Sequence, residues 1–203
     1  MKRLSLIVLI LIPGTLLQAQ DYERIQAAFA TSYDLETAGN FRDALAAIQD
    51  QYQSDSYDFN IRCGWLNYNL GEHPKSAGYY KKAIEILPYS LEARFGYVLP
   101  LAALGKWNEV LGTYESMLRI DPKNTVVHYR MGAINYERKN YQTAYDHLEQ
   151  VINLYPNDYD SNLLFAWINF QMGKLKEAKV LFNKVLLIKP GDGSATYGLS
   201  LIK

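Results

Sequence analysis

Cysteine is nearly missing from this chain. Cys63 is the one such residue among 203, so an internal disulfide is excluded and stability must come from a packed core. Histidine is scarce too: His73, His128 and His147 fall in no metal-ligand spacing such as His-Glu-x-x-His, and no cysteine cluster can build a zinc site. No charge of one sign dominates. The 21 basic residues balance 21 acidic ones, which leaves no global field to gather nucleic acid or an anionic membrane. Long apolar runs are lacking as well, since Leu4 to Ile12 falls well short of the ~20 residues a spanning helix requires.

Catalytic motifs are also wanting. There is no Gly-x-Ser-x-Gly, and Gly191-Asp192-Gly193-Ser194 is a turn and cap signal too short for a phosphate-binding loop. Asp158, Asp160 and Asn162 are spaced like the start of a calcium loop, but Leu163 stands where such a loop needs glycine, so these residues are read as the N-terminal cap of a helix. No catalytic residue, metal or cofactor is expected, and the chain is read as a non-enzyme.

What is present is apolar and aromatic: 49% of residues are hydrophobic and 17 are tyrosine, enough to bury a core in a chain of this length. The first nineteen residues read separately. Lys2 and Arg3, the run Leu4 to Ile12, the Pro13-Gly14 break and Leu17-Gln18-Ala19 form the pattern of a secretory leader with cleavage near Ala19. Removal of Lys2 and Arg3 leaves a mature charge near minus two. With no cysteine after the cleavage site, a lipid anchor has no attachment atom. The mature chain is expected to be soluble and exported, in the periplasm or secreted. Cys63 lies on an apolar helical face, which reads as a small buried hydrophobe rather than a reactive thiol.

An internal period organises the rest. Pro88, Pro122, Pro156 and Pro190 follow one another at intervals of 34 residues, each after an apolar helical stretch. Seventeen residues before them stand Gly71, Gly105, Lys139 and Gly173; twelve before, Ser76, Val110, Ala144 and Ala178; eight before, Tyr80, Tyr114, Leu148 and Phe182. An earlier unit around Gly39, Phe41, Ala44 and Ile48 keeps the order, with 32 residues from Gly39 to Gly71 and no closing proline. Glycine suits a left-handed turn at a helix end, a small residue lets paired helices approach, and proline stops the second helix.

These columns resemble the tetratricopeptide repeat family, across nearly the whole mature chain. The resemblance implies an all-α, right-handed superhelical solenoid of about five helix-turn-helix units plus a short C-terminal helix. The units are about 22–56, 57–90, 91–124, 125–158 and 159–192, with a cap at 193–203. Helix pairs are expected at Tyr22 to Thr37 with Phe41 to Gln53, Tyr57 to Leu70 with Pro74 to Leu87, and Leu91 to Leu104 with Trp107 to Ile120. The last two are Thr125 to Arg138 with Tyr141 to Leu154, and Tyr159 to Met172 with Leu175 to Ile188. Pro100, inside a first helix, is expected to kink it or widen the groove.

The resemblance also implies a concave face lined by the first helix of each pair, and a protein or peptide as partner. The candidate binding residues are Phe29, Tyr33, Arg62, Trp65, Tyr68, Phe95, Tyr129, Arg130, Tyr136, Trp167 and Phe170. In the family Tyr68, Tyr129 and Tyr136 fall in columns that often hold scaffold tyrosines, whereas Tyr33, Trp65 and Trp167 stand where a small or polar side chain is usual. For the two tryptophans both ligand contact and packing stay open. Arg62 and Arg130 share a column and either grip a ligand carboxylate or pair with a nearby acid. Phe29 and Tyr33 occupy two places where the chaperone-binding subclass carries its carboxylate clamp, which argues against a chaperone-tail receptor. Asn67, Asn135 and Asn169 form a column expected to face inward and make buried structural hydrogen bonds. Envelope or secreted-protein assembly is the leading role; self-association through an apolar end, carried by Tyr197, Leu199, Leu201 and Ile202, and service as an accessory module of an enzyme or transport system are the alternatives.

Overall fold

A computed structural model describes residues 13–202, with side chains from Asp21 onward. The described residues form eleven α-helices and no strand: α1 (Pro13–Thr37), α2 (Phe41–Gln49), α3 (Tyr57–Asn69), α4 (His73–Ile86), α5 (Leu91–Ala103), α6 (Trp107–Ile120), α7 (Thr125–Glu137), α8 (Tyr141–Leu154), α9 (Tyr159–Gln171), α10 (Leu175–Ile188) and α11 (Gly193–Leu201). Among them no helix is long and apolar enough to cross a membrane. Of the proposed leader, residues 1–12 lie outside the described residues, and the described part of α1 runs from Pro13.

The 34-residue period reappears as repeated local chemistry. Ser56, Ser90, Asn124, Asp158 and Asp192 each precede a first helix or the cap, and each side chain accepts a hydrogen bond from the backbone N–H three residues on, which satisfies an otherwise orphaned donor. The turn within each pair is left-handed, with φ near +70° at Gly39, Gly71, Gly105 and Gly173. Lys139 takes the same conformation at φ 62° without the freedom of glycine. Twelve residues before each proline, the side chains of Ser76, Val110, Ala144 and Ala178 are buried. Ser76 Oγ donates to the Gly64 carbonyl at 2.7 Å, so the small residue brings its helix against the backbone of its partner.

The chain falls into two compact units, 1–107 and 108–203. In the first, α1 packs on α2, α2 on α3, α3 on α4 and α4 on α5, while α3 also meets α5. One core cluster there is Ala44, Ile48, Phe59, Cys63 and Leu66. Cys63 is 2% exposed, and burial pushes its thiol up to about 11, so it is a core side chain as its flanks indicate. In the second unit α7 packs on α8, α8 on α9, α9 on α10 and α10 on α11, with α9 also meeting α7 and α11. One cluster gathers Ala144, Leu148, Phe165 and Ile168, and another gathers Ala166, Phe182, Val185 and Ala195 beside the cap.

Two boundaries depart from the sequence pattern. Helix α1 is already formed at Pro13, the first described residue, upstream of the expected Tyr22. Helix α2 stops at Gln49 rather than Gln53, because Gln51 N–H and Tyr52 N–H bond back to Ile48 and Gln49 in tightened turns. Tyr52 then turns inward to donate to Asn60 Oδ1 at 3.0 Å and to meet the Phe59 and Tyr79 rings edge-on. Pro100 does not end its helix: α5 continues to Ala103, and Leu104 N–H reaches the Pro100 carbonyl at 3.0 Å.

Candidate functional site: an aromatic groove in the first unit

Helix α1 presents Phe29, Tyr33 and Glu36 at spacings of four and three, which puts them on one face. Helix α3 presents Arg62 and Trp65 three apart. Between these faces lies a groove of about 880 Å³, lined also by Tyr22, Phe41, Tyr57, Asp58 and Glu92. Phe29 meets Phe59 edge-on at 4.9 Å and leans on Tyr33 at 6.5 Å. One wall is thereby anchored to the core. Tyr22 and Tyr33 are exposed, and Trp65 is 36% exposed.

A buried polar knot fixes the floor. Arg62 is only 4% exposed; its Nε and Nη2 donate to Ser32 Oγ at 3.0 and 2.9 Å, and Nη1 pairs with Glu36 Oε2. Its guanidinium carbon sits 3.9 Å from the Tyr33 ring centre, a cation–π contact that holds the ring in place. The other Glu36 oxygen accepts from Trp65 Nε1 at 2.5 Å. Glu36 therefore ties arginine and tryptophan together, and Arg62 acts through Tyr33 and Trp65 rather than as a free guanidinium. In the same groove Tyr57 donates to Glu92 Oε2 at 2.8 Å and is bonded to Ser90 Oγ at 2.7 Å. Burial, with Glu92 beside it, raises the Tyr57 hydroxyl above its ordinary value.

Four of the eleven candidates, Phe29, Tyr33, Arg62 and Trp65, line this groove. Tyr68 touches Trp65 at 6.2 Å and His73 at 5.5 Å. Phe95 lies on α5, half-buried, and is not one of the lining residues. The rest belong to the second unit. Tyr129 is half-buried, and burial raises its hydroxyl. Arg130 is exposed. Tyr136 leans on Tyr141 at 5.8 Å. Trp167 meets Phe182, Phe170 and Tyr197 at 4.9, 5.7 and 6.2 Å, and its Nε1 donates to Ser194 Oγ at 2.9 Å. It thus packs under the cap helix, and the two tryptophans of one sequence column have different surroundings.

Residues 135–200 match the family model described as "Tetratricopeptide repeat". Among solved structures, a tetratricopeptide repeat protein from Parabacteroides merdae is 19% identical, with TM-score 0.74 over 90% of this chain and 72% of that one. MamA from Desulfovibrio magneticus is 14% identical, with TM-score 0.71 over 84% of this chain and 97% of its own. YrrB, described as "a TPR protein with an unusual peptide-binding site", is 22% identical, with TM-score 0.66 over 77% and 80%. No curated protein matches the sequence. Residues 135–200 carry the tetratricopeptide repeat, and the described chain shares the fold of these tetratricopeptide-repeat structures. At these identities the structural likeness speaks for the fold, and the columns inside this tetratricopeptide array must be read from its own atoms.

Its asparagine column faces inward as expected: Asn67, Asn135 and Asn169 are buried, and each Nδ2 donates to the carbonyl four residues back, at 2.8, 2.9 and 2.8 Å. A second column ties the first helices to the preceding loops. Asn60 and Asn162 donate to the carbonyls of Ser54 and Pro156, Arg94 to that of Ser90, and His128 Nε2 to that of Pro122. His128 Nδ1 lies 3.0 Å from His147 Nδ1. With the His128 Nε2 proton given to a carbonyl, a neutral His147 supplies the proton between the rings.

Among the residues of the site that the sequence did not single out are Tyr22, Glu36, Tyr57, Asp58 and Glu92. Glu36 was within reach, since it lies three and seven residues beyond Tyr33 and Phe29 on the same helical face. Glu92 was not, because it enters from the following repeat.

Proposed function

We propose that this chain is a non-enzymatic protein- or peptide-binding scaffold whose working surface is the aromatic groove of the first unit, acting outside the cytoplasm in the assembly of envelope or secreted proteins. The tetratricopeptide fold is an interaction scaffold, and the observation that carries the finer reading is Trp65. Its ring stands partly in solvent at a preformed concavity, its Nε1 is held by Glu36, and Tyr33 is clamped beside it by Arg62. Large aromatic faces held rigid before binding lose little entropy on contact, which is why such residues act as hot spots. A preformed, aromatic-lined groove between two helices suits a peptide segment.

Export rests on the charge and hydropathy pattern of residues 1–19. Mass spectrometry of native protein should find a mature N-terminus at or near Gln20, and an intact Met1 in the envelope fraction would point to a retained anchor. For the groove, Trp65→Ala and Tyr33→Ala should each weaken capture of the native partner from envelope extracts by about 1 to 3 kcal/mol in affinity. The helical circular dichroism signal should be preserved. Loss of fold without a selective loss of binding would defeat the reading.

A further inference from the structure

We infer that the groove of the first unit takes a cationic segment: a peptide stretch carrying lysine or arginine beside apolar side chains. The inference rests on the groove reading above and adds the sign of the partner's charge. Three carboxylates line the groove, Glu36, Asp58 and Glu92, against a single cation, Arg62. That cation is not available to a partner. It is buried, and its charge is directed to Glu36 and the Tyr33 ring. What remains in solvent is negative: Asp58 and Glu92 are both exposed, and neither makes an ion pair among the described residues.

The aromatic walls favour the same occupant. Tyr22 and Trp65 line the same groove as these carboxylates and stand partly in solvent, and an aromatic ring face carries negative electrostatic potential that attracts ammonium and guanidinium groups, as Arg62 on Tyr33 already shows. A lysine or arginine stem lies along apolar surface while its head reaches a carboxylate. Glu92 is held in place by the Tyr57 hydroxyl at 2.8 Å, so one acceptor is oriented before a ligand arrives. An acidic segment would meet two unpaired carboxylates with no free cation to offset them.

The test uses the full chain and two fluorescein-labelled peptides on one leucine- and tyrosine-containing framework, one with lysine and arginine, the other with glutamate at the same places. Fluorescence anisotropy should show the basic peptide binding about tenfold or more tightly, with the advantage shrinking as salt is raised. The double variant Asp58→Asn/Glu92→Gln should erase most of that preference while Trp65→Ala weakens both peptides, and Asp58→Lys/Glu92→Lys should reverse the preference. Equal or tighter binding of the acidic peptide by the unaltered chain would overturn the inference. If Trp65→Ala weakens both peptides while the carboxylate variants change nothing, the inference falls and the groove reading survives. If binding is insensitive to Trp65→Ala, or if neither peptide binds and sedimentation shows two copies of the chain joined, both fall.

Discussion

Trp65 and Trp167 stand in the same column three repeat periods apart, yet one edges a groove and the other lies under a cap. The difference is set by their neighbours one repeat on. Beside Trp167 the cap helix α11 brings Ser194 to the indole nitrogen and Tyr197 to the ring. The matching positions beyond Trp65 are Glu92 and Phe95, and Trp65 turns instead to Glu36 on the preceding first helix. The rings beneath differ as well. Tyr80 lodges between Gly64 and Gly96, where an added Cβ would come within 2.9 and 2.1 Å of it. Phe182 lies over Gly198 but faces Ala166 in place of Gly64, and meets the Trp167 ring at 4.9 Å. A repeat column therefore specifies a place on the helix, while the role of its side chain is assigned by the helices on either side.

The sharpest way to break this comparison is truncation of each tryptophan. Trp167→Ala should cost about 3 kcal/mol of stability in urea unfolding, through lost ring contacts and a loosened cap. Trp65→Ala should cost less than about 1 kcal/mol, since much of its ring already meets water. Equal losses would mean that the two rings share one role.

The polar pairs of the two units supply the next contrast. The first unit sets a buried Arg62 against a partly exposed Glu36, and the second sets a buried His128 against a half-buried His147, with ring centres 5.2 Å apart. Burial, and next the neighbouring His128, hold the His147 imidazole below its ordinary 6.5, against weaker upward pulls from Asp146 and Glu115. The unfolded chain thus takes up a proton at a higher pH than the folded one. Stability of the second unit should be full above about 6.5 and fall as pH drops through the lower folded value. Urea titrations on either side of that window check it, and His147→Gln should flatten the dependence. A dependence that persists in the variant would place the titrating group elsewhere.

The smallest effect concerns the turns. Gly71 in the first unit and Lys139 in the second adopt the same left-handed turn, which costs a side chain what it spares glycine. Lys139→Gly should raise the unfolding free energy by roughly 0.5–1 kcal/mol, and Gly71→Lys should lower it by a similar amount. A neutral Lys139→Gly would show that the lysine side chain makes up the backbone penalty.

Much of the fold was legible because its causes are local. The proline interval, the glycine turns with Lys139 among them, the small residue of each pair and the cap signals at Asp158 and Asp192 act within a few residues of themselves, so a linear pattern reports them. Where the pattern missed, the cause was contact across the chain. Helix α2 ends early because Tyr52 is drawn to Asn60 and Tyr79, and nothing near Gln49 announces that.

The candidate site was legible in a narrower sense. Position on a first helix followed from the sequence alone, and so did the aromatic character of the surface, since both depend on residue type and a spacing of 34. Only the tertiary structure decided that Arg62 would be buried on Ser32 and Glu36, that Trp65 would remain at a groove edge while Trp167 was covered, and that Asp58 and Glu92 would stand unpaired beside aromatic rings. The physical reason is that burial and charge pairing depend on what approaches from neighbouring helices. Those partners lie about thirty residues away along the chain, at positions that the repeat leaves free to vary.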